Sequence, residues 1–139
     1  MSHPDALPDL FVDRSLGRIR VPNLLREAGL RLVTLSEHYG IPADETVRDE
    51  EWLELAGKRG WVVFMKDSRI RYNRSERDAV IRHGVRSFCL SSQSLPGQQM
   101  ATRFLDNLDA IVSACAEVPE PFIYAVHATR IERLSIGDR

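Results

Sequence analysis

Hydrophobic positions along the chain switch between two periods, short strand-like runs and longer stretches with helical spacing. Residues 10–13 begin as an apolar run and end on an acid, Asp13, which predicts a first strand. "VPNLLREAG" follows, with Pro22 near a helix start and Gly29 just past its end, the usual asymmetry of helix termini. Residues 30–36 alternate apolar and polar, as a half-buried strand does, and "EHYGIPADE" reads as a loop. Residues 46–60 have helical spacing, with Trp52, Leu55 and Ala56 on one face, Thr46 and Asp49 at a capping spacing and Gly60 at the end. "WVVFM" (61–65) is continuous, β-branched and aromatic, the composition of a strand buried on both faces. It leads into a second acid, Asp67.

The second half repeats the alternation. Residues 75–84 predict a short helix with a Ser cap and a Gly stop, and residues 85–92 another strand. Residues 96–120 predict one long amphipathic helix whose stripe is Met100, Phe104, Leu108, Ile111 and Cys115. Residues 121–136 predict a long strand or a hairpin turning near 128–130. Strands joined by connections of helical length imply an α/β fold, three layers α/β/α around a mostly parallel sheet with right-handed crossovers. The 139 residues suit a single domain, 1–139, with 1–8 as a flexible N-terminal segment.

Composition narrows the class. Hydrophobic residues make up 43% and charged residues 28%, the proportions of a globular domain. There is no apolar run of membrane-spanning length and no signal-peptide pattern, so a cytoplasmic protein without a membrane partner is expected. Cys89 and Cys115 fit no metal spacing and read as buried thiols. The net charge of −1 conceals an asymmetry: residues 1–57 carry 6 Lys/Arg against 11 Asp/Glu, and residues 58–86 carry 9 against 3. An acidic pocket beside a basic approach surface is what a metal-dependent enzyme acting on a polyanion needs.

In open α/β sheets, ligands bind beyond the carboxyl ends of the strands where strand order reverses. If the strands ending in Asp13 and Asp67 are neighbours, the two carboxylates share that pole. They would raise each other's pKa unless a cation intervenes. "DETVRDEEW" adds Asp44, Glu45, Asp49, Glu50 and Glu51 near a helix start at the same pole; acids also favour helix N-termini for the dipole alone, and Asp49 suits either a cap or a ligand. Hard oxygen donors without His or Cys suit Mg2+ or Mn2+. Arg69, Arg71 and Arg74 follow Asp67 with Tyr72 among them, a pattern for phosphate contacts and base stacking. Ser15 stands two residues after Asp13, Lys66 directly precedes Asp67, and His38 is a candidate general base in the loop after the second strand.

"LFVDRSLG" followed by "VRDEEWLELAGKRGWVVFMKDSRIRYN" resembles the PIN-like nucleases over roughly residues 9–92. The resemblance is strongest to the compact branch that includes VapC-type toxins of toxin–antitoxin pairs. It implies an endoribonuclease that cleaves RNA with a water activated by Mg2+ or Mn2+. Asp13, Asp49 and Asp67 match the family acids and would be both catalytic and metal-holding. The fourth acid of the longer pattern has no clear match; Glu50 is a substitute, and Asp78 lies in the following helix. Arg69, Arg71, Arg74, Ser15 and Lys66 would serve the substrate. The resemblance also implies a homodimer and a small protein antitoxin. A non-catalytic RNA- or protein-binding domain of the same fold is the alternative. A receiver-type signalling domain fits less well, since Arg14 follows Asp13 and "VRSFCLSS" offers no Lys.

Overall fold

The computed structural model describes residues 2–66, 68–92 and 94–136, with Ser68 and Arg69 as backbone only. The elements run β1 (Leu10–Val12), α1 (Arg20–Glu27), β2 (Leu32–Thr34), α2 (Leu35–Tyr39), α3 (Asp49–Arg59), β3 (Val62–Met65), α4 (Arg74–His83), β4 (Arg86–Leu90), α5 (Gly97–Asp106), α6 (Leu108–Glu117), β5 (Phe122–Val126) and β6 (Ile131–Leu134). One sheet of order β2-β1-β3-β4-β5-β6 unites the strands. Every pairing is parallel except β5 with β6. Residues 121–136 therefore form a hairpin rather than one strand.

The period of two in the strands sorts the core into two layers. Leu10, Val12, Val62, Phe64, Phe88, Phe122 and Tyr124 point to one face, under α1, α5 and α6. Phe11, Val63, Met65, Cys89 and Ile123 point to the other, under Trp52, Leu53 and Ala56 of α3 and Ala79 and Val80 of α4. With both faces covered, β1 and β3 are apolar throughout, as parallel strands in such sheets are. The first layer is tied by Phe64 stacked on Phe104 with ring centroids 4.2 Å apart.

Four local features differ from the sequence reading. Strand 2 is short because Thr34 starts a helix: its hydroxyl accepts from the Glu37 N–H at 3.1 Å while the Glu37 carboxylate accepts from the Thr34 N–H at 3.0 Å. This reciprocal box makes the start of "EHYGIPADE" the second half of α2. Thr46 does not cap α3; its hydroxyl donates to the Ala43 carbonyl, and the Arg48 N–H is taken by Glu51 at 3.2 Å. At α4 the cap is Asn73, accepting from the Glu76 N–H at 3.1 Å, not Ser75. The expected long helix breaks at Asn107, whose buried amide donates to the Arg103 carbonyl at 2.8 Å and to the His127 carbonyl at 2.9 Å. Such side-chain bonds compete with the helical ladder. The stripe itself remains core, with Phe104 and Ile111 fully buried.

Residues 1–8 were expected to be flexible. Within them Leu7 is buried, and the buried His3 ring accepts from the Arg31 N–H at 2.9 Å and meets the Leu7 carbonyl at 2.8 Å.

Candidate functional site

The strand order reverses between β1 and β3: the chain leaves β1 outward to β2, then returns across β1 to place β3 on its other side. At such a switch point the crossovers diverge and leave a crevice beyond the carboxyl ends. Asp13 follows β1 immediately and Lys66 follows β3 immediately. Asp13 has extended backbone and caps a 3-10 turn at Arg14–Leu16, accepting from the Ser15 N–H at 3.1 Å and from the Ser15 hydroxyl, both on Oδ1. The Ser15 hydroxyl accepts in turn from the Lys66 N–H at 2.8 Å. Ser15 thus ties the two strand ends together across the switch point and fixes one oxygen of Asp13.

A cavity of about 640 Å³ opens at this pole, lined by Asp13, Arg14, Ser15, Asp49, Met65, Ile70, Tyr72, Asn73 and Glu76. Asp13 is only 6% exposed. Burial pushes its carboxyl from the ordinary 3.8 up to about 7; the Ser15 bonds pull it down, and the negative charge of Asp49 pushes it up again. A carboxylate so desolvated, beside a second carboxylate, marks a place where charge is held ready for a partner.

Asp49 is the first residue of α3, not its cap. Its Oδ1 accepts from the Trp52 indole N–H at 2.9 Å. Trp52 is fully buried and stacks on Phe11 with centroids 5.5 Å apart. Phe11 belongs to the strand that aims Asp13, so one rigid stack orients both acids. Trp52→Phe keeps the ring and removes only the donor. If this cavity takes the divalent cation expected from the sequence, Mn2+ binding should weaken about tenfold, with little change in far-UV circular dichroism; unaltered Mn2+ affinity would show that Asp49 needs no such support.

The structure separates the remaining acids. Asp44 is buried and paired with Arg18 through two bonds of 2.9 and 3.0 Å, which hold its carboxyl below the usual range. Glu45 meets the same guanidinium at 3.2 Å. Glu50 does not line the cavity. Its carboxyl, lowered first by a bond from the Ser75 hydroxyl, lies 3.5 Å from Arg48. Asp78 is exposed and 4.0 Å from Arg77. Glu76, in the first turn of α4, does line the cavity. The sequence reading did not name Glu76; the Asn-x-x-Glu spacing from the Asn73 cap was the available signal, since it puts Glu76 in the first turn at the carboxyl pole.

Asp67 lies outside the described residues, as does the side chain of Arg69. Among the described residues no three His, Cys, Asp or Glu side chains are grouped closely enough to hold a metal ion. Arg14 lines the cavity and donates to the Glu45 carbonyl at 3.3 Å and to the Val47 carbonyl, bracing the approach to α3. Arg71 lies against Tyr72, and Arg74 is exposed at the start of α4. His38 is not a candidate base for this cavity: it sits in α2 against Tyr39 and Trp61 and lines none of it. His127 contacts Glu132 at 2.9 Å, also away from the pole.

Residues 8–92 match the family described as PIN like domain. Over 128 residues the chain is 44% identical to a protein named "Putative ribonuclease VapC45" from Mycobacterium tuberculosis, an alignment covering 92% of each chain. No solved structure matches the chain.

Proposed function

The chain belongs to the PIN-like domain family, and on that premise we propose that it is an endoribonuclease dependent on Mg2+ or Mn2+, the toxin of a toxin–antitoxin pair. The observation that carries this reading is the pair Asp13 and Asp49, delivered by two different elements into one cavity at the carboxyl pole, with Asp13 desolvated and its proton affinity raised. The donors are all hard oxygens, which fits these cations. Asp13, Asp49 and Asp67 would hold the metal, and Glu76 takes the place first considered for Glu50. Once bound, a divalent cation neutralises the carboxylates, activates water and offsets charge on the phosphodiester.

The chain's own groups do the rest. Ser15 keeps Asp13 turned inward, and the Phe11–Trp52 stack does the same for Asp49. Lys66, Arg69, Arg71 and Arg74 follow β3 in sequence and would contact RNA phosphates. The relative's name, a ribonuclease, supports RNA as the substrate, and the resemblance to VapC-type toxins supports a small protein antitoxin as the partner. The same reading includes a homodimer in the cytoplasm. No helix among the described residues is long and apolar enough to cross a membrane.

The test is incubation of the purified protein with total RNA and Mn2+ or Mg2+, with and without EDTA. Discrete cleavage that EDTA stops is expected. RNA binding without cleavage under any metal would instead indicate a non-catalytic member of the family.

A further inference from the structure

Resting on the ribonuclease reading, we propose that Tyr72 is a stacking platform for an unpaired base, and that it selects single-stranded RNA at the mouth of the acidic cavity. Among the described residues Tyr72 carries the one exposed Phe, Tyr or Trp ring, at 69%. The other described aromatic rings are buried, as Trp52, Phe64 and Phe88 are, or half-buried, as Tyr39 and Trp61 are. A ring left in water without a folding role is the informative exception.

Its place is specific. Tyr72 lines the same cavity as Asp13, Asp49 and Glu76. Its ring is also fixed in position. The Arg71 guanidinium carbon lies 4.5 Å from the ring centroid, and Arg71 donates to the Tyr72 hydroxyl. A cation against a ring holds it by the quadrupole interaction, so less freedom is lost when a base arrives. The guanidinium engages one side of the ring, and an RNA base is a flat partner of matching size for the other. Stacking requires the base to leave its helix, so a duplex gains nothing from the platform while a single strand does. A phosphodiester adjoining the stacked nucleotide is then presented toward the carboxylates below. Tyr72 is a specificity residue here and takes no part in bond breaking.

The experiment uses the Asp13→Asn protein, which removes a cavity carboxylate so that binding is read without cleavage. Fluorescence anisotropy compares labelled oligoadenylate with an adenine·uracil RNA duplex. Tyr72→Phe should bind oligoadenylate as its parent does. Tyr72→Ala should bind it about tenfold more weakly, the effect of losing one stacked base, with duplex binding unchanged. Because the tyrosine is neutral, the salt dependence of binding should keep the same slope. In the otherwise wild-type enzyme, Tyr72→Ala should raise KM for single-stranded RNA and leave kcat largely intact.

Oligoadenylate affinity untouched by Tyr72→Ala overturns the proposal, and loss of a protein partner's binding in its place reassigns the ring to that partner. An equal fall for single strand and duplex also overturns it. These outcomes leave the ribonuclease reading standing, provided the wild type cleaves RNA. If the protein neither binds nor cleaves any RNA, both readings fall together.

Discussion

Asp13→Asn should abolish RNA cleavage, by at least about a thousandfold, and should also make the metal-free protein more stable at pH 8. The two effects have one cause. The folded state holds the Asp13 carboxyl at about 7 because burial opposes its charge, whereas the unfolded chain loses that proton near its ordinary 3.8. Between those values the folded protein binds the extra proton, so stability falls as pH rises from about 4 to about 7 and is flat above. The full penalty at pH 8 is on the order of 4 kcal/mol, or roughly 10 °C in melting temperature for a chain of this size. Asparagine carries no charge and keeps an oxygen to accept the Ser15 bonds, so it avoids the penalty. Melting curves in EDTA at pH 4.5 and pH 8 should therefore nearly coincide for the two proteins at the lower pH and separate at the higher. Saturating Mn2+ should restore the wild type at pH 8, since a cation favours the ionised carboxylate, and should leave Asp13→Asn unmoved. A variant that melts lower than wild type in EDTA at pH 8 would mean that Asp13 serves the fold rather than a ligand.

Gly57→Ala is the second large effect, and its sign runs against helix propensity. Gly57 lies inside α3, where alanine should add about 1 kcal/mol. At this position α3 passes α4 at close range. A Cβ on residue 57 would sit 2.7 Å from the His83 Cβ and closer still to the His83 carbonyl oxygen. Backbone of a neighbouring helix cannot step aside as a side chain tip can, so the helices must separate. The expected net cost is about 2 kcal/mol, read as a lower urea midpoint with unchanged slope. The site should feel it too. Asp49 begins α3 and Glu76 lies in the first turn of α4, so a wedge between these helices alters the spacing of the two acids and should reduce Mn2+ affinity. An alanine variant more stable than wild type would show that the contact relaxes freely.

Much of this could be read before the fold was known, and the reason differs by residue. Asp13 was visible because a strand that ends on an acid is a local pattern, and β1 delivers it to the pole directly. Asp49 was visible as a helix-start acid with cap and ligand both open; the structure makes Arg48 the cap and has Asp49 accept from the Trp52 indole, one turn on. Glu50 stood next to Asp49 in sequence and served there as a substitute for the fourth acid. The helical turn of about 100° per residue carries it off the cavity and toward Arg48 and Ser75. Glu76 was not singled out in sequence, because nothing local shows that the first turn of α4 faces the same cavity as Asp13 and Asp49. Thr34 was read as strand because a capping box needs its partner three residues on, across the boundary between two predicted elements.

By itself, then, the sequence determined the order of the strands and of the main helices between them, the apolar faces that make three layers, and the presence of acids at strand and helix ends. Those are properties of neighbouring residues and of periods of 2 and 3.6, which short-range chemistry sets. Only the tertiary structure decided which acids meet. The switch point between β1 and β3, the Ser15 bridge to Lys66, the withdrawal of Asp44 into its pair with Arg18 and the inclusion of Glu76 all join residues distant along the chain. Such contacts depend on how layers close around a common core, and so does the desolvation that raises the proton affinity of an otherwise ordinary carboxylate, Asp13.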